Sequence, residues 1–136
     1  MKNIFPKKEE RAGELSQSLG VRGEQEAARY LTKHGFRILE KNYRVKGGEI
    51  DIIANDHHDL VFVEVKTRKS VAFGYPEESV SFTKELRIAR AIRHYLMRFR
   101  AEPAYRVDIV SIVYTRGLTL PSEVLHIPAV LMRVEI

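Results

Sequence analysis

The chain has 136 residues, 44% hydrophobic and 30% charged, with 23 Lys and Arg against 18 Asp and Glu and a formal net charge of +5. That length favours one domain that buries roughly 68% of its unfolded surface without staples, and the balance excludes a disordered chain. The absence of cysteine excludes a disulfide scaffold, a thiolate zinc site and a thiol nucleophile.

No apolar run approaches the ~20 residues of a bilayer span, and the N-terminal stretch carries acids without an apolar signal core. A soluble, cytoplasmic protein with no membrane partner is expected. Residues 1–17 are charged and aperiodic and predict a flexible or loosely docked extension, leaving 18–136 as a single domain. From about Ser18 to His34, Leu19, Ala27, Ala28 and Leu31 fall at helical spacing, and Gly35 follows as a terminator. Phe36–Arg44 reads as a strand and Lys46-Gly47-Gly48 as a turn. Glu49–Asn55 and Leu60–Thr67 are Ile- and Val-rich strands, joined as a hairpin by Asp56-His57-His58-Asp59. Arg68 to about Ser79, with Gly74 and Pro76, reads as a loop. Val80–Phe99 predicts a second helix with Leu86, Ala89, Ile92, Leu96 and Phe99 as its buried stripe. Tyr105–Thr115 is another strand, and Leu120–His126 pairs with it as a hairpin. The order α-β-β-β-α-β-β predicts an α/β fold, one mixed β-sheet flanked by helices.

The chemistry concentrates in Glu49-Ile50-Asp51 and Glu64-Val65-Lys66. A turn centred between His57 and His58 pairs residues whose numbers sum to 115, which sets Asp51 across from Glu64. Opposed residues have Cβ atoms about 5 Å apart, where two carboxylates repel unless a cation lies between them. Period two puts Glu49 and Asp51 on one face with Glu64 and Lys66. The flanking runs Ile50, Ile52, Ile53 and Val61–Val63 read as strands covered on both faces, where an unpaired charge costs several kcal/mol. Oxygen ligands without Cys suit Mg²⁺ or Mn²⁺, completed by water and a phosphate. Lys66 would then orient the attacking water or offset charge on the phosphate. The alternative is a solvated face on which Lys66 bridges Glu64 and Glu49. Glu24 shares a helix face with Ala27, Ala28 and Leu31 and could reach the same cluster, with Gly20 and Gly23 permitting close approach of a ligand; otherwise it is a first-turn acid placed against the helix dipole.

The strings Gly23-Glu24, Gly48-Glu49-Ile50-Asp51 and Val61-Phe62-Val63-Glu64-Val65-Lys66-Thr67-Arg68 resemble the bacterial YraN family, which is related to archaeal Holliday junction resolvases and to restriction-endonuclease-like nucleases with the PD-(D/E)xK signature. The match continues through Phe73-Gly74, Lys84, Arg106-Val107-Asp108 and His126-Ile127-Pro128. The resemblance implies a restriction-endonuclease-like sheet and a Mg²⁺-dependent phosphodiesterase core. In it Asp51 and Glu64 are the acids, Lys66 the lysine and Glu24 the helical glutamate, with the Val65 carbonyl a third metal ligand. Ile50 stands where the signature ordinarily has proline. Junction-cleaving relatives act as symmetric dimers, which implies a homodimer.

From Lys84 to Arg100 there are six basic residues against one acid. Lys84, Arg87, Arg90 and Arg93 wind around one side of the second helix, either along a phosphate backbone or as a solvated face. Arg68 and Lys84 are expected to meet phosphate. Asp56-His57-His58-Asp59 reads as a polar turn rather than a second metal site, and Asp108 as a structural acid paired with Arg106 or a helix-end donor rather than as a support of the metal cluster. The expected function is a Mg²⁺-dependent endonuclease on DNA, branched or junction DNA included. The alternative is a nucleic-acid-binding module that keeps the fold without catalysis. A pure binder gains nothing from acids that repel phosphate, so the Asp51, Glu64 and Lys66 set favours the enzyme.

Overall fold

The structure, a computed structural model, describes residues 8–69, 80–115, 120–121 and 123–136, with 8–18 as backbone only. The elements run α1 (Lys8–Lys33), β1 (Arg37–Val45), β2 (Gly48–Asn55), β3 (Leu60–Arg68), α2 (Phe82–Leu96), β4 (Tyr105–Val113) and β5 (Glu123–Ile127). This is the expected α-β-β-β-α-β-β order. One five-stranded sheet runs β1-β2-β3-β4-β5, antiparallel except for the β3–β4 pair, which α2 connects in parallel.

Alternation along β3 assigns the two helices to opposite faces. Val61 and Val63 pack with Ala27, Ala28 and Leu31 of α1. Leu60 and Phe62 pack with Ile88, Ala91, Ile92 and Tyr95 of α2. The first half of β3 is therefore covered on both sides, as its continuous apolar run predicts, and each such side chain contributes roughly 1.5–3 kcal/mol by leaving water. Among the described residues, no helix is long and apolar enough to cross a membrane.

Two boundaries differ from the sequence expectation. Helix α1 begins at Lys8, so residues 8–17 of the expected extension are helical; residues 1–7 lie outside the described residues. Lys8–Gln17 has no apolar stripe but is mostly Lys, Glu, Arg, Ala, Leu and Gln, whose intrinsic propensity carries a helix that periodicity does not reveal. At its other end, Gly35 at φ 86° lets Phe36 N–H reach the Leu31 carbonyl at 2.9 Å while Gly35 N–H reaches that of Thr32 at 3.1 Å, a Schellman close.

Helix α2 is shorter than the expected Val80–Phe99, and its stripe is rotated. Ala89 and Ile92 are buried as expected, but Ile88, Ala91, Tyr95 and the acid Glu85 complete the covered face. Leu86 and Leu96 are only half-buried, and Phe99 is exposed beyond the helix end. The burial of Glu85 has a partner far along the chain: Arg133 gives it a backbone N–H at 3.3 Å and Nε at 3.1 Å. The loop expected from Arg68 to Ser79 lies outside the described residues from position 70 onward, Phe73, Gly74 and Pro76 included; Arg68 itself ends β3.

Candidate active site

The β2–β3 register is Ile52 with Val63, Ile53 with Phe62, Ala54 with Val61 and Asn55 with Leu60. Each pair sums to 115, so its continuation sets Asp51 across from Glu64. Asp56 N–H donates to the Asp59 carbonyl at 3.2 Å, which makes the even-numbered β2 residues the hydrogen-bonded members of the ladder. The next such bond would join Val65 N–H to the Ile50 carbonyl. Val65 N–H instead donates to Asp51 Oδ2 at 2.8 Å. The pairing ends at Ile52 and Val63, and a carboxylate takes the place of the missing rung.

Strict alternation fails at the same point. Ile50 and Ile53 both pack on the α2 side, and Ile52 and Ala54 on the α1 side. A Cβ on Gly48 would lie 2.7 Å from the Arg87 carbonyl oxygen, so this end of β2 also runs hard against α2. The expectation that Glu49 and Asp51 follow one uninterrupted period is thus corrected: β2 turns over at Asp51, which frees its carboxyl to reach β3. Asn42 of β1, the residue that the β1–β2 register sets across from Asp51, has φ 51°. Asparagine tolerates that left-handed conformation better than most residues, and such departures concentrate at functional sites.

Asp51 and Glu64 are 8% and 6% exposed. The two carboxyls titrate as a pair. Burial and then the charge of Asp51 push Glu64 up to about 8. Burial raises Asp51 as well, against the Val65 N–H and the Lys84 ammonium, which favour its charged form. Glu24 feels the same pair: burial and the Asp51 charge raise it, while a hydrogen bond from the Asn42 side chain opposes them. Glu24, Asn42, Asp51 and Glu64 therefore form one electrostatic group drawn from α1, β1, β2 and β3. Asn42 is the member that sequence reasoning missed; its only signal was an Asn in mid-strand.

Lys84, expected at phosphate, has its Nζ 3.1 Å from Glu64 Oε1. Arg87 Nη2 lies 3.6 Å from Glu49 Oε2, whose other oxygen faces Arg44 Nε at 3.5 Å. Lys66 is half-buried two residues beyond Glu64 and pairs in register with Ser111, whose buried hydroxyl has no hydrogen-bond partner among the described residues. Arg68 pairs with Val113, and its carbonyl accepts Tyr114 N–H at 2.7 Å. The space expected beside Gly23 for a ligand is filled from within: a Cβ there would meet Thr67 Oγ1 at 2.0 Å. Among the described residues, no three His, Cys, Asp or Glu side chains converge to hold a metal. The two opposed carboxyls are what the chain itself assembles.

The other polar candidates are structural. Asp56 Oδ1 accepts His58 N–H at 3.0 Å and Asp59 N–H at 2.7 Å, closing the turn. Arg106 joins Asp56 and Asp59 to Asp108. Asp108 is fully buried and also accepts from His126 Nε2 at 2.7 Å and Ala129 N–H at 2.9 Å. Burial would raise its carboxyl, but these donors outweigh it and hold Asp108 below the usual range.

The sequence profile of the family described as uncharacterised protein family UPF0102 matches residues 23–112. The chain belongs to this family. UPF0102 is the family of the YraN resemblance, and the match takes in Glu24, Asn42, Asp51, Glu64, Lys66, Lys84 and Asp108. A UPF0102 protein of Caldicellulosiruptor saccharolyticus is 42% identical over 110 residues, covering 80% of this chain and 90% of the relative. One from Symbiobacterium thermophilum is 46% identical over 99 residues, covering 72% and 84%. A third, from Trichlorobacter lovleyi, is 41% identical over 118 residues, covering 85% and 91%.

Proposed function

We propose that this UPF0102 protein is a Mg²⁺- or Mn²⁺-dependent endonuclease acting on DNA, branched or junction DNA included. The observation that carries the reading is the Asp51–Glu64 pair, two buried carboxyls brought into contact where β2 and β3 part. A fold gains no stability from that contact, because burial and mutual repulsion both disfavour it. It is chemically suited to a hard dication.

The donor set fits such an ion: Asp51 and Glu64 would hold it, with the Val65 carbonyl as the third ligand that the family resemblance implies. A divalent ion there supplies a Lewis acid and offsets the charge that develops on a phosphate. Lys66, on the same strand as Glu64, orients the attacking water and stabilises the developing charge. Glu24 adds negative charge beside Asp51 and so favours the dication. Arg68 at the end of β3 and Arg87 on α2 meet flanking phosphates. Cutting paired strands of a junction calls for two such sites, hence a homodimer.

The test incubates the protein with labelled four-way junction, duplex and single-stranded DNA, with Mg²⁺, Mn²⁺ or EDTA. Metal-dependent cutting of at least one of these DNAs is expected, with a fall of at least about a hundredfold in Asp51→Ala and Glu64→Ala. DNA binding that needs no metal and tightens when the acids are removed would instead make the chain a non-catalytic nucleic-acid-binding module.

A further inference from the structure

We propose that Lys84 is a built-in counter-ion of the carboxyl pair, seated on Glu64 until a divalent cation displaces it. This rests on the metal-dependent reading above and concerns how that same site is regulated.

The sequence reading sent Lys84 outward to phosphate, yet its Nζ is 3.1 Å from Glu64 Oε1, and Asp51 attracts it as well. The main chain beneath it is anchored. Lys84 N–H donates to the N-cap Ser81 Oγ at 3.3 Å. The next residue, Glu85, is 3% exposed and gripped by Arg133, which also donates from Nη2 to the Val80 carbonyl at 3.0 Å. The side chain itself is 41% exposed. An ammonium on a four-carbon stem thus has a fixed base, an acidic seat and a way out to solvent. The acid next along, Glu49, is held by Arg44 and Arg87, so Glu64 is the seat.

At neutral pH the pair is held by the Lys84 ammonium and one proton; a dication satisfies both carboxylates, and its binding releases the proton as well as the ammonium. The two cations repel and compete for Glu64, so an arriving ion releases Lys84, and the released ammonium is free to take an anionic phosphate. A phosphate that draws Lys84 off Glu64 in turn raises the affinity for the ion, since coupling between two ligands is reciprocal.

The experiment titrates Mn²⁺ calorimetrically into the metal-free full chain as wild type, Lys84→Met and Lys84→Arg, with thermal melts to confirm folding. Lys84→Met is expected to bind Mn²⁺ roughly tenfold tighter, the scale of one lost charge-assisted competitor. Lys84→Arg, whose guanidinium can hold both Glu64 oxygens, is expected to bind it more weakly than wild type. Wild type that binds Mn²⁺ while Lys84→Met binds it equally or less well overturns the counter-ion role and leaves the metal reading intact. If Lys84→Met does not fold, Lys84→Arg that binds as tightly as wild type overturns it. Failure of every folded protein to bind Mn²⁺ overturns the metal reading and this inference with it.

Discussion

A carboxyl buried against another carboxyl keeps its proton more tightly in the folded chain than in the unfolded one, and Glu64 stands at about 8 against an ordinary 4.5. The pH dependence follows from that direction. Below about pH 4.5 the group is protonated in both states and costs nothing. Between 4.5 and 8 the unfolded chain ionises first, so stability falls as pH rises, and above 8 the loss is complete. Glu64→Gln removes the titration. In EDTA, urea unfolding from pH 5 to 9 should show the wild type losing stability relative to Glu64→Gln by a few kcal/mol, with most of the gap opening below pH 8. Parallel profiles would mean that burial and the Asp51 charge do not raise Glu64 in the folded chain. The cost is consistent with a site kept for chemistry rather than for stability.

At the scale of elements, the site depends on how closely α2 lies on β2. The virtual Cβ of Gly48 falls 2.7 Å from the Arg87 carbonyl oxygen and 2.8 Å from Ala91 N, both main-chain atoms that cannot swing aside. Gly48→Ala should therefore cost about 1–3 kcal/mol in urea unfolding by forcing the helix outward. Gly20→Ala, on α1 with nothing within 4 Å, should instead stabilise by about 0.4–1 kcal/mol. Equal effects would disprove the close crossing. The elements also mark what the sequence could reveal. The register that opposes Asp51 and Glu64 was legible because a four-residue polar turn fixes the centre of the hairpin, and the α1 stripe because Ala27, Ala28 and Leu31 face one apolar sheet. The rotation of α2 was not legible, because Glu85 is buried by an arginine 48 residues away and periodicity counts an acid as outward. The turnover of β2 at Asp51 was hidden for a related reason: a side chain replacing a ladder bond leaves no trace in the spacing.

Across the whole molecule, polar chemistry is split between the sheet faces. Lys84 and Glu64 meet on the α2 side, while Asp108 and His126 lie on the α1 side, where the His126 ring meets Tyr30 and Phe36 edge-on. The second group is a clasp: through Arg106 it joins β4, β5 and the β2–β3 turn. Asp108→Ala leaves the Arg106 and His126 donors without their buried acceptor and should cost about 3–5 kcal/mol in urea unfolding. The protein that remains folded should keep its Mn²⁺ affinity, since Asp108's hydrogen-bond partners Arg106, His126 and Ala129 are not ligands of the proposed site. A loss below 1 kcal/mol, or a large change in Mn²⁺ affinity, would contradict this division of labour.

The rung in which Val65 N–H bonds a carboxylate rather than a carbonyl has a spectroscopic consequence. An amide proton bonded to an ionisable group reports the charge on that group through its chemical shift. The Val65 amide is thus a resident indicator of Asp51, and its resonance should move as Asp51 titrates or takes a cation, while the Phe62 amide, deep in the doubly covered half of the same strand, stays still. One strand thereby carries both the signal and its internal reference.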